Sequence, residues 1–330
     1  MRNYNEEEFE YKPKKRRKSH KLRNFVICLI LIAAIVAGLW YFLVGVFYKQ
    51  MNYHEIPSVS MEALKEDGVI NVLLIGNDSR SEDEDGRSDA MILLSISNET
   101  KSIHLTSLLR DIYVDIPGYD GNRLNAAYAY GGAELLLETI EANFDIEVNR
   151  YAQVNFQAFA NLVDAVGGVD LELSNEEVKL VNGYLWEYNI LEGKAEGTDY
   201  LDENLQGMLH LNGPQALAYC RNRYIGDDFG RTERQRKVLS AMVENAPNAL
   251  FNMDKVVSGI FSNVTTNLTQ AECVHLSTQV PKFLTYDIVQ GSIPLKGTYS
   301  NASIRGMSVL QVDFDANNEY IRKEIYGDDE

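Results

Sequence analysis

The run Val69-Ile70-Asn71-Val72-Leu73-Leu74-Ile75-Gly76 is followed, across a polar stretch over 77–88, by a second apolar run from Ala90 to Ser97. Asn98-Glu99-Thr100-Lys101 then leads into a third run from Ser102 to Leu108. Each run is short, rich in branched aliphatic residues and stopped by glycine or polar residues, which is the pattern of a buried strand. A turn as short as 98–101 forces the second and third strands to be antiparallel neighbours. If the second strand also runs against the first, the end of the first, the start of the second and the end of the third share one edge of the sheet. Asp78, Asp89 and Arg110 then converge there, three ionisable groups that each abut a rigid apolar strand. The bland alternative for Asp78, in Gly76-Asn77-Asp78-Ser79, is a turn residue.

Downstream the periodicity alternates. The pattern predicts a helix over 132–143, a strand over 151–154, a helix over 156–166 and, after Gly167-Gly168, a strand over 169–173. That alternation argues an α/β layered domain. Residues 174–205 are polar, glycine-containing and poorly periodic, and read as an excursion or lid. Asn212-Gly213-Pro214 opens a helix through about Cys220, with Pro214 in its first turn. Another helix is expected over 232–245, and Thr269-Gln270-Ala271-Glu272 is a capping box opening a third. Strands near 286–293 and 309–314 are expected to complete the sheet.

Upstream, the charge is unevenly placed. Of 330 residues, 1–24 carry nine Lys/Arg against four Glu, 25–47 carry no charge, and the remainder carries 22 Lys/Arg against 44 Asp/Glu, a net charge of −22. The uncharged stretch, Phe25 to Phe47, is long enough at about 1.5 Å per residue to span a hydrocarbon core of roughly 30 Å. A cleaved signal peptide has a shorter apolar run, whereas this one passes into Trp40, Tyr41, Phe47 and Tyr48, an aromatic belt. The basic run Lys14 to Arg23 sets that side in the cytoplasm. The expected organisation is therefore a basic cytoplasmic segment over 1–24, a transmembrane helix over 25–47, a juxtamembrane linker over 48–68 and an extracellular domain over 69–330. An acidic body repels nucleic acid, and the basic run is already accounted for by the membrane, so no nucleic-acid partner is expected. Cys28 lies in the membrane segment. Cys220 and Cys273 make no disulfide framework, and burial and pairing are equal alternatives for them.

The segment Cys220 to Arg236 holds five arginines and no lysine within the 16 residues from Arg221. A planar fork of donors matches phosphate or carboxylate oxygens two at a time, a duty lysine cannot share. For any one arginine, a surface salt bridge is the competing account. Arg231 and Gln235 are four apart at a helix start, where free N–H groups and the dipole favour anions. Arg221 and Arg223, two apart past a helix end, can point the same way if the chain is extended there. Two carboxylates at the sheet edge repel unless a cation separates them, and Mg²⁺ favours carboxylate, water and phosphate oxygens. Asp78, Asp89 and the arginines together describe a metal-assisted pyrophosphate site.

Asn77-Asp78-Ser79-Arg80, Arg87-Ser88-Asp89, Ser107-Leu108-Leu109-Arg110-Asp111, Arg123 to Tyr128 with Gly131-Gly132, Val166-Gly167-Gly168-Val169, and Arg221-x-Arg223 through Gly230-Arg231 and Arg234-Gln235 fall in the order that resembles the LytR-CpsA-Psr family. The likeness covers roughly Val69 to Ala246. It implies an α-β-α layered domain with a central mixed sheet, and an enzyme that transfers a glycopolymer from a polyprenyl-pyrophosphate carrier to peptidoglycan. By that resemblance Asp78 and Asp89 bind Mg²⁺ or deprotonate the acceptor hydroxyl, and Arg110, Arg221, Arg223 and Arg231 clasp the pyrophosphate. Gln235 is a polar contact and Arg123 a basic position of the motif. Leu135, Leu136, Ile140, Phe156, Phe159 and Leu162 are candidates for a lipid groove, with core packing as the alternative for each. A polyprenyl-phosphate sensor without turnover and a pyrophosphate hydrolase stay open beside the transferase. The paired aspartates favour the transferase, because a sensor needs only the arginines.

Overall fold

The computed structural model describes residues 68–77, 88–251 and 264–327, together with 38–56 apart from 39 and 47; the side chain of Asp89 is outside that description. In chain order the strands and helices are β1 (Asn52–Tyr53), β2 (Val69–Asn77), β3 (Ser88–Ser97), β4 (Ser102–Leu108), β5 (Tyr113–Val114), β6 (Asn122–Arg123) and α1 (Leu124–Phe144). They continue with β7 (Arg150–Asn155), α2 (Phe156–Ala165), β8 (Val169–Leu173), α3 (Asn175–Leu191), β9 (Gly207–Leu211), α4 (Gly213–Arg221) and α5 (Asp228–Asn245). The chain ends with β10 (Val264–Thr266), α6 (Gln270–Phe283), β11 (Asp287–Ile293), β12 (Tyr299–Ile304), β13 (Met307–Val312) and α7 (Phe314–Ile321).

The central sheet has the order β1-β10-β7-β2-β3-β4-β11. β3 runs against both β2 and β4, while β2 with β7 and β4 with β11 are parallel, so the sheet is mixed. Its strands alternate faces as their sequence dictates. Leu73, Ile75, Met91 and Leu93 pack on Leu136, Ile140 and Phe144 of α1 and on Ile321 of α7. Ile70, Val72, Ile96 and Ile103 turn the other way, onto Phe283 of α6 with Val243 of α5 and Leu276 of α6 beside them. Helices therefore cover both faces, and the α-β-α layering expected from the sequence is what the chain forms. The buried ion pair of Arg150 with Glu272, at 2.7 and 2.9 Å, pins the start of α6 to β7.

Several expectations are corrected. Residues 174–205 are no lid: α3 occupies 175–191, opened by a capping box between Ser174 and Glu177. Its buried positions are Val178, Val181, Asn182, Leu185, Tyr188 and Asn189, a regular helical stripe. Two of those positions are asparagines, buried because Asn182 exchanges hydrogen bonds with the main chain of Leu201 and Asn189 donates to Thr198 O. With Trp186, Ile190 and Leu191 left exposed on the same helix, the periodicity is blurred in the sequence. Residues 309–314 do not complete the central sheet. β13 pairs with β12 and touches the segment after β4 through one bridge, Leu310 to Ile112, and Phe314 opens α7. α1 begins at Leu124 rather than 132, bent at Gly131-Gly132, where Gly132 has φ 64°. The segment expected as linker is partly sheet, since β1 pairs with β10 and Ile56 is buried in the core.

β8 and β9 form a two-stranded antiparallel sheet apart from the central one, and with α2, α3, α4 and α5 they enclose a second core around Val163, Val178, Leu185, Leu211 and Val238. α4 packs close on α2 because Gly213 has no Cβ to strike the Ala160 carbonyl. Cys220 and Cys273 are both free thiols, each pushed up by burial, Cys273 to about 11.

Met1–Leu43 and Val44–Glu330 are separate units. Of residues 25–47, expected as a membrane helix, only 38 and 40–46 are among the described residues, and these are helical. Among the described residues no helix is long and apolar enough to cross a membrane.

Candidate functional site

The ends of β2, β4, β7 and β11 and the start of β3 all reach one edge of the sheet, as the hairpin argument requires. Asn77 pairs with Ser88, and Ile92 pairs with Ser107, the last pair of β3 with β4 toward this edge. Asp78 and the Asp89 side chain lie outside the described residues.

Arg110 follows β4 by two residues. Its Nη2 lies 3.8 Å from Asp228 Oδ1 and its Nε 3.8 Å from Asp111 Oδ2. Arg231 Nη2 reaches the same Asp228 Oδ1 at 2.8 Å, and Arg123 Nη1 reaches Asp111 Oδ1 at 3.4 Å. The contacts form a chain, Arg123 to Asp111 to Arg110 to Asp228 to Arg231, in which three guanidinium groups alternate with two carboxylates. One positive charge is in excess over these five groups, so the cluster attracts an anion. Arg231 is 2% exposed, whereas Arg110, Arg123 and both aspartates are half-buried. The Arg123 Nε and Gln235 Oε1 atoms are buried without a hydrogen-bond partner among the described residues. Polar atoms so placed are satisfied by a ligand, a water or residues outside the description.

Local sequence explains the placement. Asp227 caps α5 by accepting from Gly230 N, which sets Asp228 and Arg231 on its first turn, beside the positive end of the helix. Arg236 Nη1 donates to Ser107 Oγ at 2.6 Å and holds α5 against β4, three residues before Arg110. Burial lowers the Arg236 pKa, yet a guanidinium stays charged at any physiological pH. Arg234 donates from Nη1 to Asn222 O at 3.2 Å and from Nη2 to Ile225 O, and pairs through Nε with Glu177 at 3.2 Å. It staples the loop between α4 and α5, which carries Arg223.

Arg221 stands apart. It is the last residue of α4 rather than past the helix end, and its guanidinium lies 4.9 Å from the Phe156 ring and 5.5 Å from the Tyr184 ring, with Glu187 at 3.6 Å. Arg223 is exposed, and its N–H donates to Tyr184 Oη at 3.3 Å. The expected site residues thus divide. Arg110, Arg123 and Arg231 are brought together, Arg221 packs on aromatic rings, and Arg223 lies on the loop between α4 and α5. The six groove candidates also divide: Leu135, Leu136 and Ile140 lie in the core under the sheet, Phe156 and Phe159 pack around Ala160, Tyr188 and Leu217, and Leu162 is half-buried on α2. Asp111 and Asp228 were missed. Asp228 is the i,i+3 partner of Arg231 on a helix that starts at 228 rather than 232.

An α/β domain that gathers guanidinium forks and carboxylates where the strands of a mixed sheet end is a scaffold for a polyanionic ligand. The chain belongs to the LytR-CpsA-Psr family, whose model, LytR_cpsA_psr, matches residues 46–324. It is similar to Biofilm regulatory protein A of Streptococcus mutans, 31% identical over 285 residues covering 82% of this chain and 66% of that protein. It is also similar to the polyisoprenyl-teichoic acid–peptidoglycan teichoic acid transferase TagU of Bacillus mycoides, 35% identical over 206 residues, 61% of each chain. The chain spans less than two thirds of the length of these two curated relatives. Among solved structures it resembles TagT bound to LI-WTA, with a TM-score of 0.64 and 25% identity, covering 83% of this chain and 99% of that one.

Proposed function

We propose that this protein is a phosphotransferase that moves an anionic glycopolymer from a polyprenyl-pyrophosphate carrier to a peptidoglycan hydroxyl. The observation that carries the proposal is the Arg110, Asp228, Arg231 contact at the sheet edge, extended by Arg123 through Asp111. Relatives named for teichoic acid transfer and a similar fold bound to LI-WTA agree with it. The acceptor oxygen attacks the sugar-bound phosphorus, the bond to the carrier's terminal phosphate breaks, and polyprenyl phosphate leaves. Arg110, Arg123 and Arg231 hold the pyrophosphate and offset the charge that develops as the bond breaks. Arg221, Arg223 and Gln235 are further contacts to the same substrate, with Arg221 reaching it from its aromatic seat.

Two carboxylates beside a pyrophosphate would suit Mg²⁺. Among the described residues no cluster of three or more His, Cys, Asp or Glu side chains is arranged to hold a metal, and Asp111 and Asp228 already face arginines. Asp78 and Asp89 would hold the ion, with water and phosphate oxygens completing a shell of the kind magnesium prefers. Bound there, the ion would neutralise phosphate charge, and an aspartate oxygen that does not face the ion would take the acceptor's proton.

The cytoplasmic head and single membrane helix expected over 1–47 would keep the domain outside the cell, beside the carrier's head group. Protease added to intact cells should then cleave the domain, and full protection would contradict that orientation. The activity is tested with the full chain in detergent, a lipid-pyrophosphate-linked sugar, Mg²⁺ and peptidoglycan. Polyprenyl phosphate should appear only when acceptor is present, and Arg110→Ala and Asp89→Ala should each slow its release by about a hundredfold or more. Release without acceptor would mark a hydrolase, binding without release a sensor, and undiminished variants would remove these residues from the chemistry.

A further inference from the structure

Beside Arg123, two tyrosines stand in water. Tyr119, in the loop between β5 and β6, and Tyr130, on the first segment of α1, stack with ring centroids 4.9 Å apart and planes 24° from parallel. Tyr119 is 54% exposed and Tyr130 44%. Stacking covers one face of each ring and leaves the other to solvent. Asn122 Nδ2 donates to Tyr130 Oη at 2.6 Å, and Asn122 Oδ1 accepts from Arg123 N at 2.8 Å, so the pair is tied to the ion-pair chain through consecutive residues. Asp120, next to Tyr119, holds Arg305 at 3.0 Å and adds an exposed carboxylate and guanidinium.

The helix itself turns Tyr130 outward. Tyr128 Oη donates to Gln153 Oε1 at 2.7 Å and accepts from Asn77 Nδ2 at 3.2 Å, so that side of the segment faces the sheet edge. Two residues further on, Tyr130 is on the opposite side, immediately before the bend at Gly131-Gly132. A loop that needed only to be braced would gain more from a buried apolar ring. Exposed aromatic faces edged by amide, carboxylate and guanidinium groups match a pyranose instead. Its C–H-rich face stacks on a ring, and its hydroxyls take planar donors and acceptors around the rim.

We propose that Tyr119, Tyr130 and Asn122 form a platform that binds a pyranose ring of the glycan next to the reacting phosphate. The location relative to the phosphate rests on the proposed function; the binding of a sugar ring does not. The ring can belong to the donor polymer or to the acceptor strand, which share this chemistry.

The test uses the full chain in detergent and three probes: a phosphate-free N-acetylhexosamine tetrasaccharide, a soluble short-prenyl pyrophosphate-linked sugar, and inorganic pyrophosphate, each measured by calorimetry. Tyr119→Ala/Tyr130→Ala should weaken one or both sugar probes about tenfold while leaving inorganic pyrophosphate within about twofold. Loss for the tetrasaccharide alone assigns the platform to the acceptor, and loss for the linked sugar alone assigns it to the donor. Tyr119→Phe/Tyr130→Phe, which keeps both ring faces, should retain most of the affinity and guards against misfolding of the alanine variant. Unchanged binding of both sugars by the alanine variant, or equal loss of all three probes with the phenylalanine variant intact, would overturn the platform. Sugar binding is read without turnover, so absence of transferase activity leaves this result standing.

Discussion

Asp228 is the residue on which the arginine cluster turns, because its Oδ1 touches both Arg110 and Arg231. Its Oδ2 is buried without a hydrogen-bond partner among the described residues, so the carboxylate is committed to the two guanidinium groups. Asp228→Asn keeps the shape and removes the charge. The two arginines then lose a fixed spacing but gain positive potential. Turnover should fall about tenfold while inorganic pyrophosphate binds no more weakly than to the wild type. Equal weakening of both, or no change in turnover, would contradict a positioning role. Arg110 was legible in the sequence because it abuts a strand whose end could be placed by hairpin geometry. Asp228 was not, because the polar run before Thr232 hides a helix start four residues earlier. Arg221 was misplaced for a similar reason, since α4 runs one residue further than the apolar pattern and delivers that side chain onto Phe156.

At the scale of elements, the pieces that meet at the site are held from behind. α6 is pinned by the Arg150 to Glu272 pair, and Glu272 also closes the capping box with Thr269. Burial raises the pKa of Glu272, but the hydrogen bonds from Arg150 and Thr269 outweigh it and hold the carboxyl below its ordinary range. A depressed carboxylate contributes stability above the unfolded-state value near 4.5 and loses it as pH falls through the folded one. Glu272→Gln leaves Arg150 buried without its counter-charge and should cost about 3–5 kcal/mol in urea unfolding at neutral pH. The loss should shrink as pH drops below the carboxylate range; an equal loss at every pH would show that packing, not charge, is at work. The capping box here was readable as Thr-x-x-Glu, and the one opening α3 has the same form. α3 was still missed, because buried asparagines and exposed aliphatic residues spoil its stripe, and side-chain to main-chain bonds across 182–201 have no signature in sequence. The hairpin of β2 to β4 was readable because period, turn length and register all agree there.

Over the whole molecule, a sheet edge collects residues from positions 110, 111, 123, 228 and 231, and no local pattern announces that meeting. What the sequence does carry is the order of motifs, which identified the family and its α-β-α layering, and the contrast between a basic head and a body of net charge −22. Under the proposed function that body attracts a polyanion against its own field, so binding has to come from the concentrated arginines rather than from overall charge. The most direct measurement is therefore the affinity of the full chain for inorganic pyrophosphate with Mg²⁺, compared with Arg110→Ala/Arg231→Ala in the same buffer. A shared clasp predicts weakening of about a hundredfold in the double variant. Affinity equal to that of the wild type would mean that pyrophosphate is held elsewhere and that the cluster at the sheet edge is an ion-pair network without a ligand.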